Sequence, residues 1–374
     1  MVRSTARAAA AVAALGLVGA AGAAVPAAAQ GGDDHEVKVV TSGLDGPRGV
    51  ATVRPGTTLV SEADGTVSLV REHRHRPATV RELTSVPAAS SPAIASGRHG
   101  TVYILTGVAG GPEGTAEIPE DVVEASSKLY KWRPGWAQPR VMADIAAYQE
   151  TDPDPYDLED NPGESNPYGV AALRHGGVLV ADAAGNDLLK VSRHGHISTV
   201  AVLKPRTVEA PEGAGPPAGT PMPAEAVATS VTVGSDGHYY VGELRGFPAT
   251  PGTSQIWRVK PGSHDAVCDS EAPWRGACKR YADGLTSIVD LAPGRHGSIY
   301  ALTLSKMSWL AIEADPPVEG SEIGGLFKVS RWGHRVSELA EDQLVLPGGV
   351  DSSRRGVYVT SPQFGPGSLL KVRR

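Results

Sequence analysis

Six polar side chains lie at the ends of short apolar segments, where they could act together on one ligand. They are Arg48, Glu62, Asn166, Asp182, Glu243 and Asp290. Carboxylate and amide oxygens are the ligands that a hard cation such as Ca²⁺ takes in proteins. Paired carboxylates can also supply a general acid and a general base when burial separates their pKa values. The set therefore predicts either a cation site or a polar binding pocket.

Glu62, Asn166 and Glu243 are the candidate ligands of Ca²⁺ or another divalent cation. Glu62, Asp182 and Glu243 stand at equivalent positions of three repeated segments. Two other interpretations stay open for these carboxylates. A long Glu side chain can belong to the solvated rim of a pocket, and a short Asp such as Asp182 commonly accepts hydrogen bonds from its own turn.

Residues 144–164 form a strongly anionic stretch with eight carboxylates and no Lys or Arg. The stretch lacks the glycine-centred spacing of an EF-hand loop. It is therefore interpreted either as a solvated flap or as a loop around a calcium ion. Because it directly precedes Asn166, it could also cover the site as a lid.

A repeated hairpin must position these side chains. A strand that begins with a small residue is followed by a Gly-containing turn and a second apolar strand. Aligned apolar residues of the two strands, such as Val50 and Val60, are ten residues apart in four of the copies, as a tight hairpin requires. The six copies span residues 46–65, 91–107, 166–185, 229–244, 287–304 and 346–361. They predict an all-β fold, a six-bladed β-propeller.

The remaining segments fit one propeller domain over residues 30–374. A third strand recurs as an apolar pair followed by a basic residue, as in residues 188–191. The alternating residues 36–40 are expected to close the last blade, because an unpaired edge strand invites aggregation. Residues 204–225, rich in Pro and Gly, are expected to form an irregular exposed loop.

The first 29 residues have the form of a signal peptide. Arg3 and Arg7 precede an apolar run that ends in small residues, so we expect cleavage between Ala29 and Gln30. No later segment has the ~18 consecutive apolar residues of a membrane span. These features predict a secreted protein without a membrane span.

The charge of the chain argues against nucleic acid as a partner. The full chain carries a net charge of −6, and loss of the two arginines of the signal peptide would make it −8. Phosphate binding requires a basic field instead. We expect a monomer whose partner is an extracellular small molecule or protein.

The chain contains two cysteines, Cys268 and Cys278. In an exported protein, two cysteines this close in sequence form a local disulfide that staples a loop. The pair is therefore predicted to be a disulfide rather than part of a metal site.

Three motifs resemble the ScyD/ScyE family of exported bacterial proteins. They are residues 166–170 (NPYGV) with 180–187 (VADAAGND), residues 239–248 (YYVGELRGFP), and residues 286–291 (TSIVDL). The repeat also resembles NHL-type and gluconolactonase-like six-bladed propellers, some of which hold a divalent metal with Glu, Asn and Asp at the channel mouth. The resemblance implies the fold and a site at the channel, and it assigns no molecular role.

Two functional hypotheses follow from these observations. The first is a secreted binding protein whose ligand lies on the top face of the ring, around the central channel. The second is a metal-dependent lactonase or hydrolase, in which the same carboxylates hold a cation that polarises a carbonyl or activates water. The sequence does not decide whether the protein is an enzyme.

Overall fold

Strands dominate the computed structural model of this protein, which describes residues 37–110 and 118–373. In these residues, six sheets surround a central channel, and each sheet is one blade of a β-propeller. The predicted fold class is therefore confirmed. The predicted signal peptide, its cleavage site and Glu36 lie outside the described residues. None of the helices within the described ranges is both long enough and apolar enough to cross a membrane.

Each blade has four main strands, which follow one another outward from the channel. The chain begins with β1 (Val37–Asp45), which belongs to the last blade. Blade 1 contains β2 (Val50–Arg54), β3 (Thr57–Ser61), β4 (Thr66–Arg71) and β5 (Thr79–Ser85). Blade 2 contains β6 (Ala93–Ser96), β7 (Val102–Leu105), β8 (Lys128–Trp132) and β9 (Arg140–Asp144). Blade 3 contains β10 (Pro167–Ala172), β11 (Val178–Asp182), β12 (Asp187–Val191) and β13 (Ile197–Leu203).

The second half of the ring has the same plan. Blade 4 contains β16 (Ala228–Val233), β17 (Tyr239–Glu243), β18 (Ser254–Val259) and β20 (Cys278–Leu285). Blade 5 contains β21 (Ile288–Pro293), β22 (Ile299–Thr303), β23 (Gly325–Val329) and β24 (Val336–Leu339). Blade 6 contains β25 (Gly349–Ser353), β26 (Gly356–Ser361) and β27 (Pro366–Val372), with β1 outermost.

The connections between strands carry the remaining elements. Helix α1 (Glu120–Ala125) lies within blade 2, α2 (Ile145–Gln149) joins blade 2 to blade 3, and α3 (Trp309–Ile312) lies within blade 5. Two 3₁₀ turns, Arg98–Gly100 and Arg295–Gly297, join the first and second strands of blades 2 and 5. Strand β19 (Ala266–Cys268) adds to blade 3 in parallel with β13. The expectation of an irregular loop at residues 204–225 is wrong in part. Strands β14 (Arg206–Glu209) and β15 (Pro221–Ala224) pair there, because Val208 and Ala224 turn inward and are buried.

The first and last strands of the ring close it. Strand β1 pairs antiparallel with β27, from Val37 opposite Val372 to Asp45 opposite Pro366. This pairing confirms the predicted closure of the last blade. The observed strand continues to Asp45, beyond the predicted end at residue 40. Leu44 explains the extension, since it is 4% exposed and packs in an apolar cluster that joins blade 6 to blade 1.

Three glycines allow the inner strands of neighbouring blades to approach closely. A Cβ at Gly49 would lie 2.6 Å from the carbonyl oxygen of Pro92 in blade 2, and one at Gly169 would lie 2.7 Å from that of Thr229 in blade 4. Gly349 meets the backbone of blade 1 in the same way. Such distances are too short for any side chain. The Gly-Val pair of the repeated motif is therefore a packing requirement of the ring.

Hydroxyl groups bind the backbone carbonyls at these close approaches. The Ser61 hydroxyl of blade 1 donates to the carbonyl of Pro92 in blade 2 at 2.6 Å. The Thr360 hydroxyl of blade 6 donates to the carbonyl of Arg48 in blade 1 at 2.7 Å. Both hydroxyls are buried, and a buried carbonyl without a partner would cost free energy. These bonds fasten blade 1 to both of its neighbours near the channel.

The predicted disulfide between Cys268 and Cys278 is confirmed. The two Cα atoms are 5.1 Å apart, and both side chains are buried. The bond joins β19 to β20 and closes the loop between them. It thereby ties the outer edge of blade 3 to the outer strand of blade 4.

Replacing Gly169 by Ala tests the close approach of the inner strands. The added Cβ meets backbone atoms of Thr229 and Ser230, so one blade must shift, and we expect a loss of roughly 1–3 kcal/mol in unfolding free energy. Urea unfolding measures this loss. Gly163→Ala is the matched control, because its nearest neighbour would be at 3.8 Å. Equal stability of the two variants would contradict the packing account.

Candidate functional site

The central channel encloses a cavity of about 240 Å³. Its wall is built from the inner strands of all six blades, β2, β6, β10, β16, β21 and β25. Most of the lining residues are Gly, Ala, Val and Ile, whose small or compact side chains leave the space open. Three ionisable side chains with charged forms at neutral pH enter this wall: Arg48, Asp290 and Asp351. They define the candidate site.

Arg48 crosses one end of the cavity, just before β2 begins. Its Nη1 donates to the carbonyl of Ser91 in blade 2 at 3.2 Å, and its Nη2 donates to the carbonyl of Tyr168 in blade 3. The guanidinium carbon lies 3.6 Å from the centre of the Tyr168 ring, a cation–π contact. Among the described residues, the buried Nε has no hydrogen-bond partner. One donor of this cation is therefore buried and unsatisfied.

Asp290 projects from β21 and holds the backbone of the neighbouring blade. Its Oδ2 accepts from the Val350 N–H at 2.7 Å, and its Oδ1 accepts from the Leu291 N–H at 2.8 Å. Burial raises the pKa of the Asp290 carboxyl to about 7, although both hydrogen bonds and nearby Arg48 favour the ionised form. The carboxyl group thus changes charge near neutral pH.

Asp351 has the same role one blade further along the ring. Its Oδ2 accepts from the Thr52 N–H of blade 1 at 2.6 Å, and its Oδ1 accepts from the Ser352 N–H at 2.6 Å. Burial raises its pKa to about 6. Asp351 was not among the side chains singled out in the sequence. The recurrence of Val-Asp in the fifth and sixth hairpin copies was the signal that could have found it.

The charge of the cavity wall follows from these three groups. When Asp290 and Asp351 are both protonated, Arg48 leaves a net charge of +1, and when both are ionised the net charge is −1. The change occurs between roughly pH 5 and pH 8. The wall therefore favours an anion in mildly acidic solution and disfavours one in alkaline solution.

Glu62 lies apart from the channel cavity. It is partly exposed, and its Oε2 accepts from the backbone N–H of Asp45 at 2.9 Å. This contact fixes the end of β1 against blade 1. The position corresponds to the rim interpretation of this side chain.

Glu243 is wholly buried inside blade 4. Its carboxylate pairs with the Arg245 guanidinium and accepts from the Trp257 Nε1–H at 2.5 Å and from the Gln255 N–H at 3.2 Å. Burial raises the pKa of Glu243, while the charge of Arg245 and these hydrogen bonds act in the opposite direction. The carboxylate of Glu243 therefore accepts its hydrogen bonds from residues inside blade 4.

Asp182 and Asn166 share one hydrogen-bond network in blade 3. The Asp182 carboxylate accepts from Ser165 Oγ at 2.6 Å, from the Asn166 N–H at 2.7 Å and from the Gly185 N–H at 3.2 Å. The bond from Gly185 is the turn-capping contact. Asn166 Oδ1 accepts from the Val108 N–H at 3.3 Å. This pair connects blade 3 to the segment that follows β7 in blade 2.

The three candidate cation ligands, Glu62, Asn166 and Glu243, thus belong to three separate hydrogen-bond networks. Within residues 37–110 and 118–373, no group of three or more His, Cys, Asp and Glu side chains is arranged to hold a metal ion. Of the six side chains singled out in the sequence, the channel brings together Arg48 and Asp290.

Residues 144–164 pack beside blades 3 and 4. Asp144 caps helix α2 by accepting from the Ala147 N–H at 3.1 Å, and the Leu158 N–H donates to Glu225 at 2.9 Å. Burial and the nearby carboxylates of Glu225 and Glu164 raise the pKa of Glu159 to about 7. None of the residues that line the channel cavity comes from this stretch. The channel lining thus gives no support to the interpretation of residues 144–164 as a lid over the channel.

Solved structures with a similar fold cover most of the chain. A glucose dehydrogenase is 13% identical, with a TM-score of 0.55 and coverage of 91% of this chain and 99% of that chain. The PQQ-bound aldose sugar dehydrogenase from Streptomyces coelicolor is 13% identical, with a TM-score of 0.52 and the same coverage. A protein of unknown function from Bacteroides thetaiotaomicron is 10% identical, with a TM-score of 0.51 and coverage of 91% and 76%.

At these identities the likeness establishes the β-propeller architecture and nothing about chemistry. No protein family matches the chain, and no curated protein matches its sequence. The site must therefore be interpreted from its own residues.

The buried carboxyl of Asp290 should make stability depend on pH. Its pKa is higher in the folded state, so folding binds protons, and stability falls as the pH rises from about 4 to about 7. Relative to Asp290→Asn, the wild-type protein should lose roughly 2–4 kcal/mol over this range. Urea unfolding at several pH values measures the difference.

Asp121→Asn, at an exposed position of α1, is the control for the change in net charge. It should follow the wild-type pH profile. If Asp290→Asn also follows that profile, the assignment of a raised pKa to Asp290 is wrong.

Proposed function

We propose that this protein binds a small organic anion in the central channel, next to Arg48. The observation that carries the proposal is the Arg48 guanidinium at the end of the cavity. Its buried Nε lacks a hydrogen-bond partner among the described residues, and the carboxyl of Asp290, which acts on Arg48 electrostatically, is protonated in mildly acidic solution. A buried donor without a partner costs free energy, and with Asp290 protonated the charge of Arg48 would attract an anion.

The size of the cavity sets the size of the ligand. Its volume of about 240 Å³ lies below the roughly 300–1,000 Å³ of pockets for drug-sized ligands. The wall between the polar groups is lined by Val and Ala side chains. A carboxylate on a short apolar or hydroxylated skeleton suits this combination of one cation and an apolar wall.

Asp290 and Asp351 would control the affinity for such a ligand. In their protonated forms they remove negative charge from the wall, and Asp290 can then act as a hydrogen-bond donor. In their ionised forms they repel an anion. Binding would therefore strengthen in mildly acidic solution and weaken as both groups ionise.

The biological setting proposed for this activity is outside the cell. The resemblance to ScyD/ScyE proteins and the signal peptide expected at residues 1–29 support export, and the Cys268–Cys278 disulfide fits an oxidising compartment. In this proposal residues 30–374 act as one monomeric propeller domain. The metal-dependent lactonase is not retained, because Glu62, Asn166 and Glu243 each serve a different network.

Titration with lactate tests the proposal. Lactate is an anion throughout the range tested, and we expect it to bind more tightly at about pH 5.5 than at about pH 8, by tenfold or more. Arg48→Gln should abolish the binding, and Asp290→Asn should reduce its pH dependence. Isothermal titration calorimetry measures both. Lactamide, the neutral isostere, should not bind.

Arg71→Gln is the matched control, because Arg71 is an exposed arginine of the same blade. It should bind lactate as the wild-type protein does. Thermal unfolding of Arg48→Gln shows whether the ring remains folded. Lactate binding that survives in a folded Arg48→Gln protein, or equal binding of lactamide, would contradict the proposal.

A further inference from the structure

A second concave site lies at the other end of the ring, between blades 4 and 5. This groove has a volume of about 630 Å³. Its wall includes Asp236 and His296, which belong to the turns between the first and second strands of their blades. Arg48 and Tyr168 lie at the opposite ends of the inner strands. The groove is therefore separate from the channel site.

Two exposed tryptophans line this groove. Trp274 is 62% exposed and Trp332 is 69% exposed, so most of each ring surface is open to solvent. The chain has six tryptophans in total. Exposed aromatic rings that share one concave surface are typical of binding sites, because their exposure lowers stability and solubility unless a ligand covers them.

The groove is basic in an acidic protein. Four basic side chains line it, Arg258, Lys279, Arg280 and Arg331, against one carboxylate. That carboxylate, Asp236, pairs with Arg258 at 2.8 Å, and Arg280 pairs with Asp283 at 3.0 Å.

Lys279 and Arg331 are the two cations of the groove without a carboxylate partner. Within the described ranges, neither side chain makes an ion pair or a hydrogen bond, and the Arg331 guanidinium lies 4.9 Å from the centre of the Trp332 ring. A ligand ring would therefore stack on the face of Trp332 that Arg331 leaves open. The whole chain has a net charge of −6, whereas this groove carries more positive than negative side chains. The groove is therefore complementary to an anionic ligand.

The disulfide fixes the side of the groove that carries Trp274. Cys268 and Cys278 close the loop in which Trp274 lies, and both cysteines are buried. The Arg280 N–H of β20 donates to the Pro273 carbonyl of this loop at 2.8 Å. Loop closure reduces the entropy lost when Trp274 is ordered. The exposed ring is thus presented from a constrained loop.

We propose that this groove binds an anionic oligosaccharide. The apolar faces of its sugar rings would stack on Trp274 and Trp332, and its carboxylates would pair with Lys279 and Arg331. The disulfide favours a compartment where extracellular glycans occur. Single-stranded nucleic acid is also a polyanion, and it is therefore the competing ligand in the test.

Calorimetric titration of the full protein with tetragalacturonate tests this proposal. We expect binding that weakens with added salt, because two ion pairs contribute to it. Trp274→Ala and Trp332→Ala should each weaken the binding by about tenfold, as expected for the loss of one stacked ring. The double change Lys279→Gln and Arg331→Gln should weaken it by at least the same factor and reduce its dependence on salt.

Two controls keep the test independent of folding and of bulk charge. Both tryptophans are exposed, so the Ala variants should retain the wild-type melting temperature. Lys190→Gln, an exposed lysine of blade 3, should leave tetragalacturonate binding unchanged. The methyl ester of tetragalacturonate, which lacks the negative charges, should bind at least tenfold more weakly.

Four results would overturn the proposal. They are an absence of tetragalacturonate binding, wild-type affinity in folded Trp274→Ala and Trp332→Ala proteins, equal affinity for the methyl ester, and tighter binding of single-stranded DNA through the same residues. Concentration-dependent dimerisation that disappears in the Trp variants would instead assign the groove to contacts between copies of this chain.

Discussion

Six inner strands approach one another closely around a single channel, and both the repeat and the channel chemistry follow from this packing. These strands come together without forming a continuous sheet, so their backbone groups need partners from the next blade. Hydroxyls supply some of these partners, as when Thr229 of blade 4 donates to the Ile288 carbonyl of blade 5 at 2.6 Å. Glycines such as Gly169 leave the space. The repeated motif in the sequence is the result.

The same packing generates the chemistry of the channel. Asp290 and Asp351 accept the N–H groups of the neighbouring inner strands, which places carboxyl groups where water is largely excluded. Burial then raises both pKa values toward neutrality. Arg48 binds carbonyls of two other blades and contributes the opposing charge. A structural requirement of the ring thus produces a cavity whose charge depends on pH.

The sequence was sufficient for the fold and insufficient for most of the site. Hairpin spacing, such as Val50 to Val60, is local and shows directly in the order of residues. The burial of Glu243 is not local, because it depends on Arg245 and Trp257 inside a folded blade. Glu62 and Glu243 occupy equivalent positions in the repeat, yet Glu62 is partly exposed beside Asp45 and Glu243 is buried with Arg245. The sequence singled out Arg48 and Asp290, which both line the channel, while the contact of Tyr168 with Arg48 depends on packing across the channel.

A crystal structure determined at about pH 5.5 with 5-bromo-2-furoate would show whether a small organic anion occupies the channel next to Arg48. The acidic solution protonates Asp290, and bromine reports its own position by anomalous scattering. We expect a bromine peak inside the channel, with the furoate carboxylate within hydrogen-bond distance of the Arg48 guanidinium. An empty channel in crystals that hold the compound elsewhere would contradict the proposed binding.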